Sequence, residues 1–270
     1  MTTGKPSKAQ RRTESQRKAA QRRAAELRAK RMRMAIRYGG ALVAIGVLIL
    51  IITQLTGSSS PNNPSTGVTG ANVKTVPIPA SLHMIPDPAT TPGDEALPIP
   101  IGPKLATLAN AATGQPVDGV QCQAGEQLIS HVHTHLTIFV NGKAMVIPYG
   151  IGVPGYEAVQ TPHGPFVETG SCFYWLHTHQ EDGVIHVESP STSLSFHLGQ
   201  FFAEWGVPLS ATQVGPYKGK LTVFFASTGK RPELYKGDPA DLPLGDHYQI
   251  QINVGTPVVS PVNITNWGNL

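Results

Sequence analysis

Ser130-His-Val-His-Thr-His-Leu-Thr-Ile-Phe-Val140, followed at once by Asn141-Gly142 and then Lys143-Ala-Met-Val-Ile-Pro-Tyr149, decides the fold class. Alternation with period two marks strands rather than a helix. Asn-Gly supplies the positive φ angles of a two-residue hairpin turn. With that turn Val140 faces Lys143, Ile138 faces Met145 and Leu136 faces Ile147, giving one apolar face. The other face carries His131, His133 and His135 opposite Gly152, Gly150 and Pro148, small partners that leave room above the imidazoles.

A second hairpin is expected from Cys172 to Val187 around Gln180-Glu181-Asp182-Gly183. Its register places His179 opposite Val184, His177 opposite His186 and Trp175 opposite Glu188. Tyr174, Leu176, Thr178, Ile185 and Val187 form the other, core-like face. Both hairpins thus sort apolar residues to one side and histidines to the other. One helix is expected where Leu198, Phe201, Phe202 and Trp205 fall at i, i+3, i+4, i+7, with Gly206 and Pro208 ending it. Strands resume at Leu221 to Ala226 and His247 to Val254. The fold class is therefore mainly β, a β-rich α+β domain with one short amphipathic helix.

Six of the ten histidines lie in these two hairpins. Residues i and i+2 of a strand point the same way, with Cα atoms about 6.5 Å apart, so paired imidazoles can close on one metal ion. His131 and His135 stand about 13 Å apart on a regular strand and cannot share one; a site must be assembled between hairpins. The candidate ligands are His133, His135, His177, His179, His186 and Glu188, with His131 and Glu126 behind them. Glu188 serves either as a ligand or as the partner that fixes an imidazole tautomer. Imidazole donors outside the cytoplasm, without a dense Cys motif, suit copper or zinc. The plainer alternative has half-exposed strand histidines bonded to backbone or to each other, and it holds for the isolated His83, His163, His197 and His247. Cys122 and Cys172, the only cysteines, are expected to form a disulfide in an oxidising compartment, the alternative being thiolate ligands to copper. Gly-x-Ser-x-Gly, phosphate-loop, His-Glu-x-x-His and CxxC motifs are absent.

The rest of the chain places this domain. Residues 1–37 hold 13 Lys/Arg and 2 Asp/Glu, a balance of +11 against +4 for the whole chain, leaving −7 beyond Arg37. Residues 38–55 are uncharged, and their length as a helix, roughly 27 Å, matches the hydrocarbon thickness of a bilayer. They read as an uncleaved transmembrane anchor, with the basic tail cytoplasmic by the positive-inside rule and the C-terminal domain extracytoplasmic. The basic tail can also contact anionic lipid. It lacks the interleaved aromatics of a nucleic-acid binder, so no nucleic acid is expected. Residues 56–103 form a Ser/Gly/Pro-rich spacer, with eight prolines from Pro77 to Pro103. The β-rich domain is expected over 104–258, and 259–270 as a frayed tail.

The stretches Cys122-Gln-Ala-Gly-Glu126, His131-Val-His-Thr-His-Leu136, Cys172-Phe-Tyr-Trp-Leu-His-Thr-His179 and Leu198-Gly-Gln-Phe-Phe202 together resemble a group of uncharacterised bacterial membrane-anchored or secreted proteins. The resemblance spans most of Gly119 to Gly255. It implies an ordered extracytoplasmic domain and supplies no substrate. The expected function is a membrane-anchored extracytoplasmic protein binding copper or zinc. The alternatives are a cell-envelope interaction module with structural or pH-responsive histidines, and a metal-dependent oxidoreductase. The strand-borne His-x-His also looks a little like a cupin metal motif, but the glutamate and spaced glycines expected after it are missing.

Overall fold

A computed structural model describes residues 73–270. The basic tail, the apolar run 38–55 and the start of the spacer lie outside them. Among the described residues no helix is long and apolar enough to cross a membrane.

Eight strands build the principal sheet: β1 (Thr75–Val76), β2 (Ser130–Val140), β3 (Lys143–Met145), β4 (Leu176–His177), β5 (Val184–Ser189), β6 (Leu221–Ala226), β7 (Glu233–Tyr235) and β8 (Tyr248–Val254). Their order is β1-β7-β6-β8-β2-β5-β4, with β3 paired to the far end of β2. Every pairing is antiparallel except β8 with β2, which is parallel. The protein is mainly β, and its α-helix in the described region is α1 (Leu198–Trp205). Leu198, Phe201, Phe202 and Trp205 are all buried, and Gly206 ends the helix in the left-handed region at φ 69°.

One sheet face is apolar. Leu136, Ile138 and Val140 of β2, Ile185 and Val187 of β5, Val223 and Phe225 of β6, and Ile250, Ile252 and Val254 of β8 join the α1 aromatics in the main core. The registers make this necessary, because Ile250 sits beside Leu136 and Ile252 beside Ile138.

The first hairpin is shorter than its sequence suggests. Val140 faces Lys143 and Ile138 faces Met145 as expected, but the pairing stops there, and Val146 bridges Lys104 instead of carrying Ile147 to Leu136. The histidine half of β2 belongs to β5: His131 faces Glu188, His133 faces His186 and His135 faces Val184. Gly152, Gly150 and Pro148 are therefore not its partners. The reason lies in their backbone, since Pro148 has no N–H to donate, and Gly150 and Gly152 take φ of 82° and 71°, outside any strand. The second hairpin keeps the expected rung, His177 opposite His186. The two histidine hairpins consequently lie edge to edge in one sheet, and the imidazoles line one continuous face.

That second face is polar yet covered. Gln249 exchanges two hydrogen bonds with the Ile264 backbone, Gln251 donates to the Val259 carbonyl at 2.8 Å, and Asn253 accepts from the Val259 N–H at 2.8 Å. Residues 259–270 thus pack along the sheet rather than fray: Val259 is buried, and Trp267, 8% exposed, joins Leu97 and Val184 in a satellite core. From Val73 onward the spacer also folds back, with Thr75–Val76 added to the sheet edge, Met84–Ile85 pairing Val258–Val259, and Leu97 buried. The prolines of this strap suit extended chain. Its apolar residues and Glu95 fix its position.

Candidate metal centre

Three adjacent strands bring His177 of β4, His186 of β5 and His133 of β2 onto one row. Glu188 and His131 form the next row on the same face. His179 follows β4 in a turn that carries its ring back over the row, its Nε2 3.2 Å from His177 Nε2. His177, His179, His186 and Glu188 offer ligand atoms within 4.8 Å of one another, all buried; His131, His133 and His186 form a second such group. The first group is a buried His/Glu cluster, the second includes the exposed His131, and either could hold a metal ion.

Backbone carbonyls set the tautomers. His177 Nδ1 donates to the Tyr174 carbonyl at 2.9 Å and His179 Nδ1 to the Val167 carbonyl at 2.6 Å. A carbonyl only accepts, so each Nδ1 carries its proton and each neutral ring presents Nε2 as a lone pair. Two lone pairs then face each other across 3.2 Å, an arrangement that a cation between them satisfies. Protonation offers little relief. Burial, with the neighbouring His179 and His186, pushes His177 well below its ordinary range, and burial with His186 also lowers His179.

His186 behaves oppositely. Burial disfavours its charge, but Glu95 and Glu188 outweigh that and raise it to about 10. Glu95 Oε1 lies 2.8 Å from His186 Nε2, and Glu188 Oε1 lies 3.4 Å from Nδ1 without the alignment of a hydrogen bond. Burial works against the Glu95 charge too, yet His186 holds its carboxyl below the usual range. His133 is lowered to about 3 by burial and then by the His186 and His131 charges. Buried Glu188 Oε2 and His186 Nδ1 have no hydrogen-bond partner among the described residues. An orphaned carboxylate oxygen grouped with two bare imidazole nitrogens fits a cation, which would take the place of the His186 Nδ1 proton.

The remaining candidates divide. His135 shares the face but stands apart, its Nε2 donating to the Asp182 carbonyl at 2.9 Å and its ring edge-on to Trp267. Burial lowers it to about 4. Glu126 sits at the rim, Oε1 3.7 Å from His179 Nε2. Asp182 caps the Val184 N–H at 3.0 Å, and Glu181 pairs with Lys104 at 2.8 Å. Cys122 and Cys172 are joined as a disulfide, so neither offers a thiolate. His197 and His247 bond to the carbonyls of Ala240 and Leu270. Glu95 carries no local sequence signal. It lies in a proline-rich strap with no periodicity, 91 residues before the histidine it holds. Compared with protein-family models, curated proteins and solved structures, the chain matches none of them.

Proposed function

We propose that this chain is a single-pass membrane protein whose extracytoplasmic β domain binds a transition-metal ion, copper or zinc, through His177, His179, His186 and Glu188. One observation carries the metal: the facing Nε2 atoms of His177 and His179, 3.2 Å apart and both held as lone pairs by carbonyl-bound Nδ1 protons. A copper or zinc ion bound there supplies a Lewis-acidic centre. The chain's own part is orientation. Glu95 grips His186 Nε2 and leaves Nδ1 facing Glu188, the carboxylate–histidine arrangement that fixes a ligand ring. Three imidazoles and one carboxylate are borderline donors, suited to zinc and Cu(II). Anchoring through residues 38–55, with the +11 tail on the cytoplasmic side, is supported by the charge asymmetry, and the disulfide accords with an oxidising compartment. The tail is read as a topology determinant that can also touch anionic lipid.

Metal analysis of the purified full-length protein in detergent is the test. A stoichiometric ion, lost in a His177→Ala/His179→Ala double variant, supports the proposal. A metal-free protein whose melting temperature is unmoved by Cu²⁺ or Zn²⁺ overturns it, because a ligand that binds only the folded state raises apparent stability. That second result favours the interaction-module reading, in which the buried His186–Glu95 pair is purely structural.

A further inference from the structure

The two ligand groups are not independent. His186 belongs to both, and Glu188 Oε1 lies between them, 3.2 Å from His131 Nε2, 3.4 Å from His186 Nδ1 and 3.8 Å from His177 Nε2. We infer that the centre is binuclear: a second transition-metal position, formed by His131, His133 and the shared carboxylate of Glu188, adjoins the first, which keeps His186. The inference rests on the proposed metal binding and extends it.

Three observations carry it. His133 is buried among the rings of His131 and His186, at centroid distances of 4.7 and 4.6 Å, both edge-on, and no carbonyl claims either of its nitrogens among the described hydrogen bonds. This contrasts with His135, one rung along, whose Nε2 is occupied by the Asp182 carbonyl. The β2 strand therefore separates a structural histidine from two available ones. Second, Glu188 is 2% exposed, its Oε2 has no hydrogen-bond partner among the described residues, and its Oε1 lies within 3.8 Å of nitrogens of three imidazoles drawn from both groups. A carboxylate that reaches both groups and keeps a second, unpartnered oxygen can bridge two ions, which in two-metal sites stand about 3.5–4 Å apart. Third, the two positions differ in access. His131 is 41% exposed, whereas His177 is fully buried. The second position thus faces solvent and the first lies beneath it.

The ligand class is a divalent ion of the imidazole-preferring kind, the same as at the first position. His186, its Nε2–H kept by Glu95, offers only Nδ1 and so ligates the first ion alone as a neutral ring, and loading that position displaces the one Nδ1 proton to solvent.

The test titrates the metal-free full-length protein with Cu²⁺ against a competing chelator that removes ions from isolated surface histidines, and counts both bound copper and unpaired spins. Two equivalents are expected, with a spin count below the copper content because ions joined through Glu188 couple. His131→Ala replaces a half-exposed ring and leaves the fold, checked by its metal-free melting temperature. It is expected to weaken the second equivalent at least tenfold and to restore one full spin per remaining copper. His133→Asn is expected to do the same. One equivalent in wild type, unchanged in His131→Ala and carrying one full spin, overturns the second position and leaves the first intact. No stoichiometric copper overturns the metal reading itself and the binuclear inference with it.

Discussion

Replacing Glu95 by Gln in the metal-free protein isolates a charge without changing the shape of the side chain. Glu95 and His186 are 8% and 7% exposed at their side chains and 2.8 Å apart. Breaking a buried ion pair by removing one partner costs about 3–5 kcal/mol. An independent route gives the same range. Burial alone would lower His186, yet the carboxylates carry it from 6.5 to about 10, which at 1.36 kcal/mol per unit leaves a net of roughly 5 kcal/mol after the burial penalty. Glu95→Gln, which leaves Glu188 in place, is therefore expected to cost about 3 kcal/mol. For a domain near 200 residues this lowers the melting temperature by about 6–12 °C. The pH dependence identifies the cause. His186 is raised on folding, so its stabilisation is fully present below its unfolded value of 6.5 and fades as pH climbs towards 10. Glu95 is lowered on folding, so its share is present above 4.5 and fades in acid. The gap between wild type and Glu95→Gln should be widest between pH 4.5 and 6.5 and should narrow through pH 8 and 9. Calorimetry in excess EDTA across that range measures it. A gap that is absent at pH 6, or that grows with pH, refutes the assignment of His186 as the charged ring.

Three further outcomes follow from separate parts of the fold. With metal present, Glu95→Gln should weaken Zn²⁺ binding by about 10–100-fold, the usual effect of removing the partner of a ligating histidine, measured by competition with a chromogenic chelator. Glu204 in α1 is fully buried, neither carboxylate oxygen has a hydrogen-bond partner among the described residues, and burial, with Asp118 adding to it, raises its carboxyl well above the ordinary range. Its charge therefore opposes folding once pH exceeds the unfolded value of 4.5, and Glu204→Gln should stabilise by about 1–3 kcal/mol at pH 8 but by little at pH 4 in urea unfolding. Cys122 and Cys172 close a loop of separation 50, so a Cys122→Ala/Cys172→Ala variant should lose about 4 kcal/mol on the chain-entropy account, read from the denaturation midpoint.

The sequence exposed those features that depend on period and local turn chemistry. Alternation in Ser130 to Val140 and the Asn141-Gly142 turn gave the hairpin tip, and the pairing of His177 with His186 followed from one loop length. The α1 stripe was visible because four large apolar residues recur on one face. What could not be read was which strands lie next to each other. Hydrophobic alternation assigns faces and says nothing of neighbours, so the β2–β5 pairing, which turns two histidine rows into one cluster, had no local signature. The covering straps were hidden for a related reason. Their anchors are single residues such as Glu95, Leu97 and Trp267, set among prolines and small polar residues that resemble those of a spacer or a frayed end.

The parallel rungs between β2 and β8 impose an order of assembly. All the proposed ligands, from His131 to Glu188, precede Tyr248 in the chain, yet the strand that bears His131 and His133 gains its neighbour on the other side only when Leu136 meets Ile250. A nascent chain or a proteolytic fragment ending before Tyr248 holds every coordinating atom and lacks both that neighbour and the C-terminal of the two segments that cover the face. Long-range pairing of this kind is slow to form. Tight metal uptake should therefore lag behind the appearance of the ligands during synthesis, which makes a loaded centre a reporter of a finished molecule rather than a nucleus around which the chain folds.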